Sequence, residues 1–286
     1  MIWLVGKNGQ LSRCLQNQFH KDGKSFITTS SSELDITDKD AIYNFLKKED
    51  ISVIINCSAY TAVDKAESEK NEAYAVNQLG VKNLVEAASD YNCYLVHFST
   101  DFVFSGDNRR PYTEECQTNP LGVYGESKLA GEHEVINSSI SASIFRVSWL
   151  YSPYGNNFVK TIVRLGKERD EIGVVSDQIG SPTSALELAK FISKNLNNIL
   201  SKKGKDIYHF SCKGSISWHE FASEIMVNSK NKCRVKPITT SEYPTPARRP
   251  SYSVMSLDKV EKEFSYPIKP WTESLSECLN STDFSL

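Results

Sequence analysis

The chain reads as an α/β protein built on a doubly wound parallel sheet. Three observations predict this. Short apolar runs alternate with helical stretches through the first half of the 286 residues. The runs are continuous rather than alternating in polarity, so both faces of each strand are covered, as in a parallel sheet. A glycine-bearing turn, Gly6-Lys7-Asn8-Gly9, falls between the first run and the first helix, where such a sheet presents free N–H groups to an anion.

Taken in order, Ile2–Val5 is a strand, Gly6–Gly9 the turn and Gln10–His20 a helix. Ser25–Thr29 is a short strand, and Asp38 caps a helix that runs to about Lys48. Ser52–Asn56 is a buried strand. A long helix is expected over residues 68–90, with Ala73, Val76, Leu79, Val81, Leu84, Val85 and Ala88 on or near its inner face. Tyr94–Ser99 is a strand, Ser105–Leu121 a loop rich in Gly, Asp, Asn and Pro, and Ser143–Val147 a strand that follows the helix opened by Tyr124. Beyond Trp149 the alternation loosens. Helices are expected at Phe158–Gly166, Ser184–Leu196 and Trp218–Val227, strands at Ile172–Val175 and Asp206–Phe210, and an extended Pro-rich loop at Thr239–Pro250. The expected division is a dinucleotide-binding Rossmann domain over 1–148 and a smaller substrate-binding lobe over 149–286, interleaved so that some of its segments return to the sheet.

Composition excludes several classes. The net charge is −2, with no basic excess to attract a phosphate backbone, which argues against nucleic acid. Seven cysteines without a C-x-x-C pair read as free thiols in a reducing compartment. No stretch approaches the roughly 20 apolar residues that span a bilayer, and the first residues already form a strand. The expectation is a cytoplasmic protein without a membrane partner, a monomer or homodimer.

The chemistry is carried by Ser99-Thr100-Asp101 at a strand end and by Tyr124-Gly125-Glu126-Ser127-Lys128 at a helix start. Tyr124 and Lys128 lie one above the other on one helical face. Beside the Thr100 hydroxyl they make a proton-donating site. The Lys128 ammonium and an oxidised nicotinamide are expected to pull the phenol down from about 10 toward working pH, which suits a general acid. The same spacing recurs at Tyr43 and Lys47 with no partner hydroxyl, where it reads as an ordinary helical face.

Gly6, Asn8, Gly9, Gln10 and Leu11 form the expected pyrophosphate turn, with Ser12 where a third glycine would stand. No acidic residue closes the second strand; Thr28, Thr29 and Ser30 are neutral, and Lys7 and Arg13 lie close. Either NADPH or NADH is therefore expected. Asp35 and Ile36 either border the adenine or open a turn.

These residues resemble the extended short-chain dehydrogenase/reductase family over nearly the whole chain. The resemblance runs through Gly6–Leu11, Asn56–Glu67, Ser99–Phe104, Tyr124–Glu132, Arg146–Tyr151, Gly155–Phe158, Asp177–Thr183 and Arg248–Pro250, and the stretch from Arg146 to Thr183 points to reductases of sugar nucleotides. It implies that Tyr124 is the proton donor, that Lys128 orders the nicotinamide ribose and that Thr100 holds the substrate carbonyl. It further implies that Ala59, Tyr60 and Thr61 line the cofactor and that Asp101, Trp149 and Asn157 meet a deoxysugar. Arg248 and Arg249 would clamp its diphosphate. The function so implied is reduction of the C4 ketone of a dTDP-4-dehydro-6-deoxyhexose, for surface polysaccharide. A reductase of another deoxysugar nucleotide and a non-catalytic dinucleotide-binding subunit are the alternatives. Some members bind Mg²⁺ through glutamates at a dimer interface; Cys14 and Leu186 stand at those positions, beside Glu187, so no metal is expected.

Overall fold

The computed structural model describes residues 1–285. In its first half β1 (Ile2–Val5), α1 (Gln10–Lys21), β2 (Phe26–Thr29), α2 (Lys39–Leu46) and β3 (Val53–Asn56) alternate as expected. Three helical pieces follow, α3 (Val63–Ala66), α4 (Lys70–Tyr74) and α5 (Gly80–Asp90), then β4 (Tyr94–Thr100), α6 (Val123–Ile136) and β5 (Ala142–Val147). The second half contains β6 (Leu150–Tyr151), α7 (Phe158–Glu168), β7 (Glu171–Val175), β8 (Ile179–Gly180), β9 (Thr183–Ser184), α8 (Ala185–Leu200) and β10 (Lys205–Phe210). It ends with β11 (Ile216–Ser217), α9 (Trp218–Asn228), β12 (Arg234–Ile238), α10 (Asp258–Phe264) and α11 (Trp271–Leu279).

Six strands form one parallel sheet in the order β10-β5-β4-β3-β1-β2. Its central strands are buried along their length, so alternate residues feed two separate cores. Leu4, Ile55, Val96 and Phe145 pack with Leu15 and Phe19 of α1 and Phe191 and Ile192 of α8. Trp3, Ile54, Leu95 and Ile144 pack with Ile42 of α2 and Leu84 of α5 on the other face. The order reverses between β1 and its neighbours β3 and β2, and that switch point opens the crevice in which doubly wound sheets take ligands. Two segments beyond residue 148 return to the sheet: α8 packs on α1, and β10 pairs with β5. A third core, around Ile162, Val174, Phe221 and Leu275, belongs to the second lobe.

Two stretches differ from expectation. The helix over 68–90 is interrupted by a π-turn at Ala75–Leu79. The extra residue in that turn rotates the helical face. Leu79, expected inside, is 46% exposed, Val76 is only half-buried, and Asn77 is turned inward at 1%. The second difference is β12, which pairs in parallel with β7 although Pro237 lies within it. A Pro is tolerated because this is a two-stranded sheet with only edge strands. All seven cysteines are free, and no described helix is long and apolar enough to cross a membrane.

Candidate active site

The turn after β1 is shaped for close approach. Gly6 has φ 86°, and a Cβ there would lie 2.9 Å from the Ser58 backbone N, so only glycine fits. Gly6 and Lys7 donate their N–H groups to Thr29 O, each at 2.9 Å, which folds the turn back on β2. Gly9 caps α1 without a side-chain hydrogen bond, and the first turn of the helix holds no acid. The open N–H groups of that turn are therefore left for an anion. Ser12 is fully buried and accepts from Gln16 Nε2 at 3.2 Å, so it keeps the helix tight where a glycine was expected. This cradle fits a dinucleotide pyrophosphate.

The neighbourhood of β2 differs from the neutral, basic-flanked pocket expected. Glu33 reaches back to accept from Ser30 N at 2.7 Å and Ser30 Oγ at 2.8 Å, and it pairs with Lys7 Nζ at 3.1 Å. A carboxylate thus stands at this strand end, supplied by a side chain four residues beyond it. Arg13 lies over the Tyr154 ring at 4.1 Å. Asp35 accepts from Thr37 N at 2.9 Å in a local turn, while Ile36 is buried in the core. The turn reading of Asp35 is the one found, and Ile36 has only its backbone to offer an adenine.

Ala59, Tyr60 and Thr61 follow β3 and are fixed by Asn77 from the π-turn. Asn77 Oδ1 accepts from Tyr60 N at 2.9 Å, and Asn77 Nδ2 donates to Tyr60 O at 3.1 Å and Ser127 Oγ at 3.0 Å. Ser127 Oγ in turn donates to Tyr124 O at 2.9 Å. One buried amide therefore couples the cofactor-side loop to the helix that carries Tyr124. That helix is capped from outside: Val123 N donates to Glu67 Oε1 at 2.9 Å. Neither Asn77 nor Glu67 was among the expected site residues. The signal for Asn77 was a polar residue within an apolar helical face.

Thr100, Asp101, Tyr124 and Lys128 converge at the end of β4. Thr100 is buried; its Oγ1 accepts from Phe102 N and donates to Asp101 Oδ1, both at 3.2 Å. The Tyr124 ring is half-buried and edges against Phe102 at 5.6 Å. Burial pushes its phenol up to about 12, partly offset by the adjacent Thr100 hydroxyl and reinforced by the Asp101 charge. Lys128 is buried, donates to Phe98 O at 2.7 Å, and is brought down to about 8 by desolvation. Here the expected lowering of Tyr124 by Lys128 is not what the protein alone produces. The ammonium is committed to a backbone carbonyl, and desolvation of the phenol dominates. One turn beyond, Glu132 holds Arg146 in a buried bidentate pair at 2.9 and 2.7 Å.

Asp101 is 1% exposed, and burial lifts its carboxyl to about 6 despite help from Ser253 and Thr100. Its Oδ2 is buried without a partner among the described residues. A buried carboxylate oxygen left bare is costly unless a ligand hydroxyl completes it.

The second lobe contributes a cavity of about 420 Å³ lined by Phe158, Ile162, Leu165, Val174, Gln178, Trp218, Tyr243, Arg169 and Arg249, among others. Apolar walls with two guanidinium groups suit a base and phosphates. Arg249 pairs with Asp64 of α3 at 2.8 Å, across the two lobes. Arg248 is exposed and does not line the cavity, whereas Arg249 does, together with Arg169, which was not among the expected residues. Trp149 is half-buried beside this cavity, stacked on Trp218. Asn157 is otherwise engaged. Its Oδ1 caps α7 through Lys160 N at 3.1 Å, and its Nδ2 donates to Gln10 Oε1 and Ser152 O, both at 2.9 Å. Its amide nitrogen ties the turn after β1 to residues 152–157, and its Oδ1 keeps one lone pair beyond the helix cap. Among the described residues no group of three or more His, Cys, Asp or Glu could hold a metal ion; Glu187 is buried and accepts from Tyr266 OH at 2.9 Å.

With this geometry established, known proteins can be set beside it. The family model described as RmlD substrate binding domain matches residues 1–284. A dTDP-4-dehydrorhamnose reductase of Sinorhizobium fredii is 40% identical over 278 residues, covering 95% of this chain and 94% of its own. A solved dTDP-4-dehydrorhamnose reductase from Clostridium acetobutylicum superposes with a TM-score of 0.93 at 41% identity, covering 98% of each chain. Another from Bacillus anthracis, solved in complex with NADP, gives 0.92 at 39% identity, covering 97% of this chain and 98% of that one.

Proposed function

The chain belongs to the RmlD substrate binding domain family, and we propose that it is a dTDP-4-dehydrorhamnose reductase in which Tyr124 is the acid. The reaction is reduction of the C4 ketone of dTDP-4-dehydro-6-deoxy-L-mannose to dTDP-L-rhamnose. The product is an activated deoxysugar, and the fate we propose for it is surface polysaccharide. The observation that carries the reading is the convergence of Thr100, Tyr124 and Lys128 at the end of β4, in a chain that also holds a cavity lined by Arg169 and Arg249.

NADPH or NADH, when bound, supplies the hydride. Gly6, Gly9 and the open first turn of α1 would hold its pyrophosphate, with Ala59–Thr61 alongside. Lys128 keeps two N–H donors after its bond to Phe98 O, and these are available to ribose hydroxyls. The Thr100 hydroxyl, whose single proton rests on Asp101 Oδ1 in the free protein, turns it to the ketone oxygen when substrate binds. Tyr124, whose burial keeps the proton on the phenol, delivers it to that oxygen as negative charge develops. Asp101 Oδ2 accepts from a sugar hydroxyl, and Arg249 and Arg169 meet the diphosphate.

The test is consumption of NADPH or NADH with the 4-keto sugar nucleotide, with the product's C4 configuration read by NMR. Production of dTDP-L-rhamnose supports the reading. Turnover to the C4 epimer would assign a different deoxysugar reductase, and no turnover with either cofactor would leave a binding protein.

A further inference from the structure

Trp149 has φ 46°, a left-handed backbone that a bulky residue adopts only when its surroundings hold it there. Thr183 N donates to its carbonyl at 3.1 Å and fixes the bend. Trp218 lies flat on the Trp149 ring, with centroids 3.4 Å apart and planes 8° from parallel. A Cβ built on Gly180 would fall 2.4 Å from Trp149 Cε2, 2.6 Å from Cζ2 and 2.7 Å from Nε1. The nearest atom is a ring-fusion carbon, with its two bonded neighbours slightly farther. That pattern describes approach to the ring face, not to its edge. Since Trp218 already covers one face, Gly180 covers the other.

Both walls are built on one small sheet. β8 and β11 pair antiparallel with Ile216 opposite Gly180, and Trp218 follows β11 as the first residue of α9. Ser217 caps that helix in a reciprocal box with Glu220, at 3.1 and 2.9 Å. Phe158 packs against Trp218 at 4.5 Å, and both line the nucleotide cavity.

We propose that Gly180 and Trp218 clamp Trp149 so that it meets the hexose of a sugar nucleotide with its indole edge and Nε1–H donor rather than with its ring face. Trp218 is then a positioning residue that references the sugar to the wall of the nucleotide cavity. The inference rests on the reductase reading above. A loosened indole misplaces the hexose relative to Tyr124, and a displacement on the order of 1 Å can cost up to ~10²-fold in rate.

The test is steady-state kinetics of Trp218→Ala, Trp218→Phe, Gly180→Ala, Trp149→Ala and the Trp149→Ala/Trp218→Ala pair, with melting temperatures and the circular-dichroism couplet of the stacked indoles. Trp218→Ala and Gly180→Ala should each raise KM for the 4-keto sugar nucleotide about tenfold, equivalent to about 1.4 kcal/mol, with the cofactor KM unchanged. Trp218→Phe should recover most of the loss, because a flat ring returns. The pair should be no worse than Trp149→Ala alone, since Trp218 acts through Trp149. Gly180→Ala leaves the Trp218 side chain untouched, so it decides the matter if Trp218→Ala melts early. Additive effects in the pair, or an unchanged sugar-nucleotide KM in Gly180→Ala, would overturn the clamp while leaving the reductase standing. A wild-type protein inert toward the sugar nucleotide would remove the reductase reading and the clamp with it.

Discussion

At the scale of single residues, burial decides what each titratable group does. Tyr43 and Tyr124 share a lysine four residues on, yet they differ in surroundings. Tyr43 OH donates to Asp90 at 2.6 Å on an exposed face, whereas Tyr124 meets Thr100 at a strand end. Lys128 is lowered to about 8 by desolvation, against Glu132, which favours its charge; burial, reinforced by the Lys128 charge, lowers nearby His97. A lysine lowered in this way keeps its ammonium below about pH 8 and loses it above. We therefore expect kcat/KM to fall as pH rises through about 8, and a flat profile to pH 10 would contradict this assignment of the lysine. Asp101 is raised from 3.8 to about 6, so the folded chain binds more protons than the unfolded one across that interval. Stability must fall as pH rises through it, and the full cost is present at pH 7. Asp101→Asn is expected to raise stability at pH 7 by up to about 3 kcal/mol while it lowers activity. Denaturant titration at pH 4 and pH 7 checks this: the gain should appear only at the higher pH.

At the scale of elements, the strands were the most legible part. Buried parallel strands are continuous apolar runs, and five of the six in the main sheet were expected from the first half and one from the second. The π-turn was not legible, because an extra residue in a helix leaves the apolar composition unchanged and alters only its phase. What it accomplishes is to face Asn77 inward, where it bonds Tyr60 N, Tyr60 O and Ser127 Oγ. Asn77→Ala strands the part-buried N–H and C=O of Tyr60 and the buried Ser127 hydroxyl, and unties the loop after β3. The expected outcome is a loss of about 2–4 kcal/mol in denaturant unfolding, together with a raised cofactor KM. Unchanged stability would mean that solvent replaces these bonds. β12 was missed for a different reason: Pro237 argues against a strand unless the edge position is known.

At the scale of the whole molecule, the two halves of the chain are joined by contacts that no local pattern announces. Gln10 meets Asn157 and Ser152, and Arg249 meets Asp64, over sequence separations of 142 to 185 residues. The meeting of Thr100, Tyr124 and Lys128, the proposed catalytic trio, was legible because helical spacing and a strand end each leave a local mark. The substrate residues were less so. Asn157 is a cap and an interlobe tie, Arg248 faces solvent, and Arg169, Trp218 and Gly180 became visible only when the second lobe folded. Arg249→Ala should raise KM for the sugar nucleotide by about tenfold or more, the scale of one charge-assisted bond, and Arg248→Ala should not; equal effects would place both in the clamp. The central claim is that Tyr124 is the acid of a sugar-nucleotide reductase. The most direct measurement compares NADPH-dependent turnover of the 4-keto sugar nucleotide by the wild-type protein, Tyr124→Phe and Tyr43→Phe. A kcat lowered by at least ~10²-fold in Tyr124→Phe, with Tyr43→Phe unimpaired and cofactor affinity retained in both, is the predicted result. Near-wild-type turnover by Tyr124→Phe would contradict it.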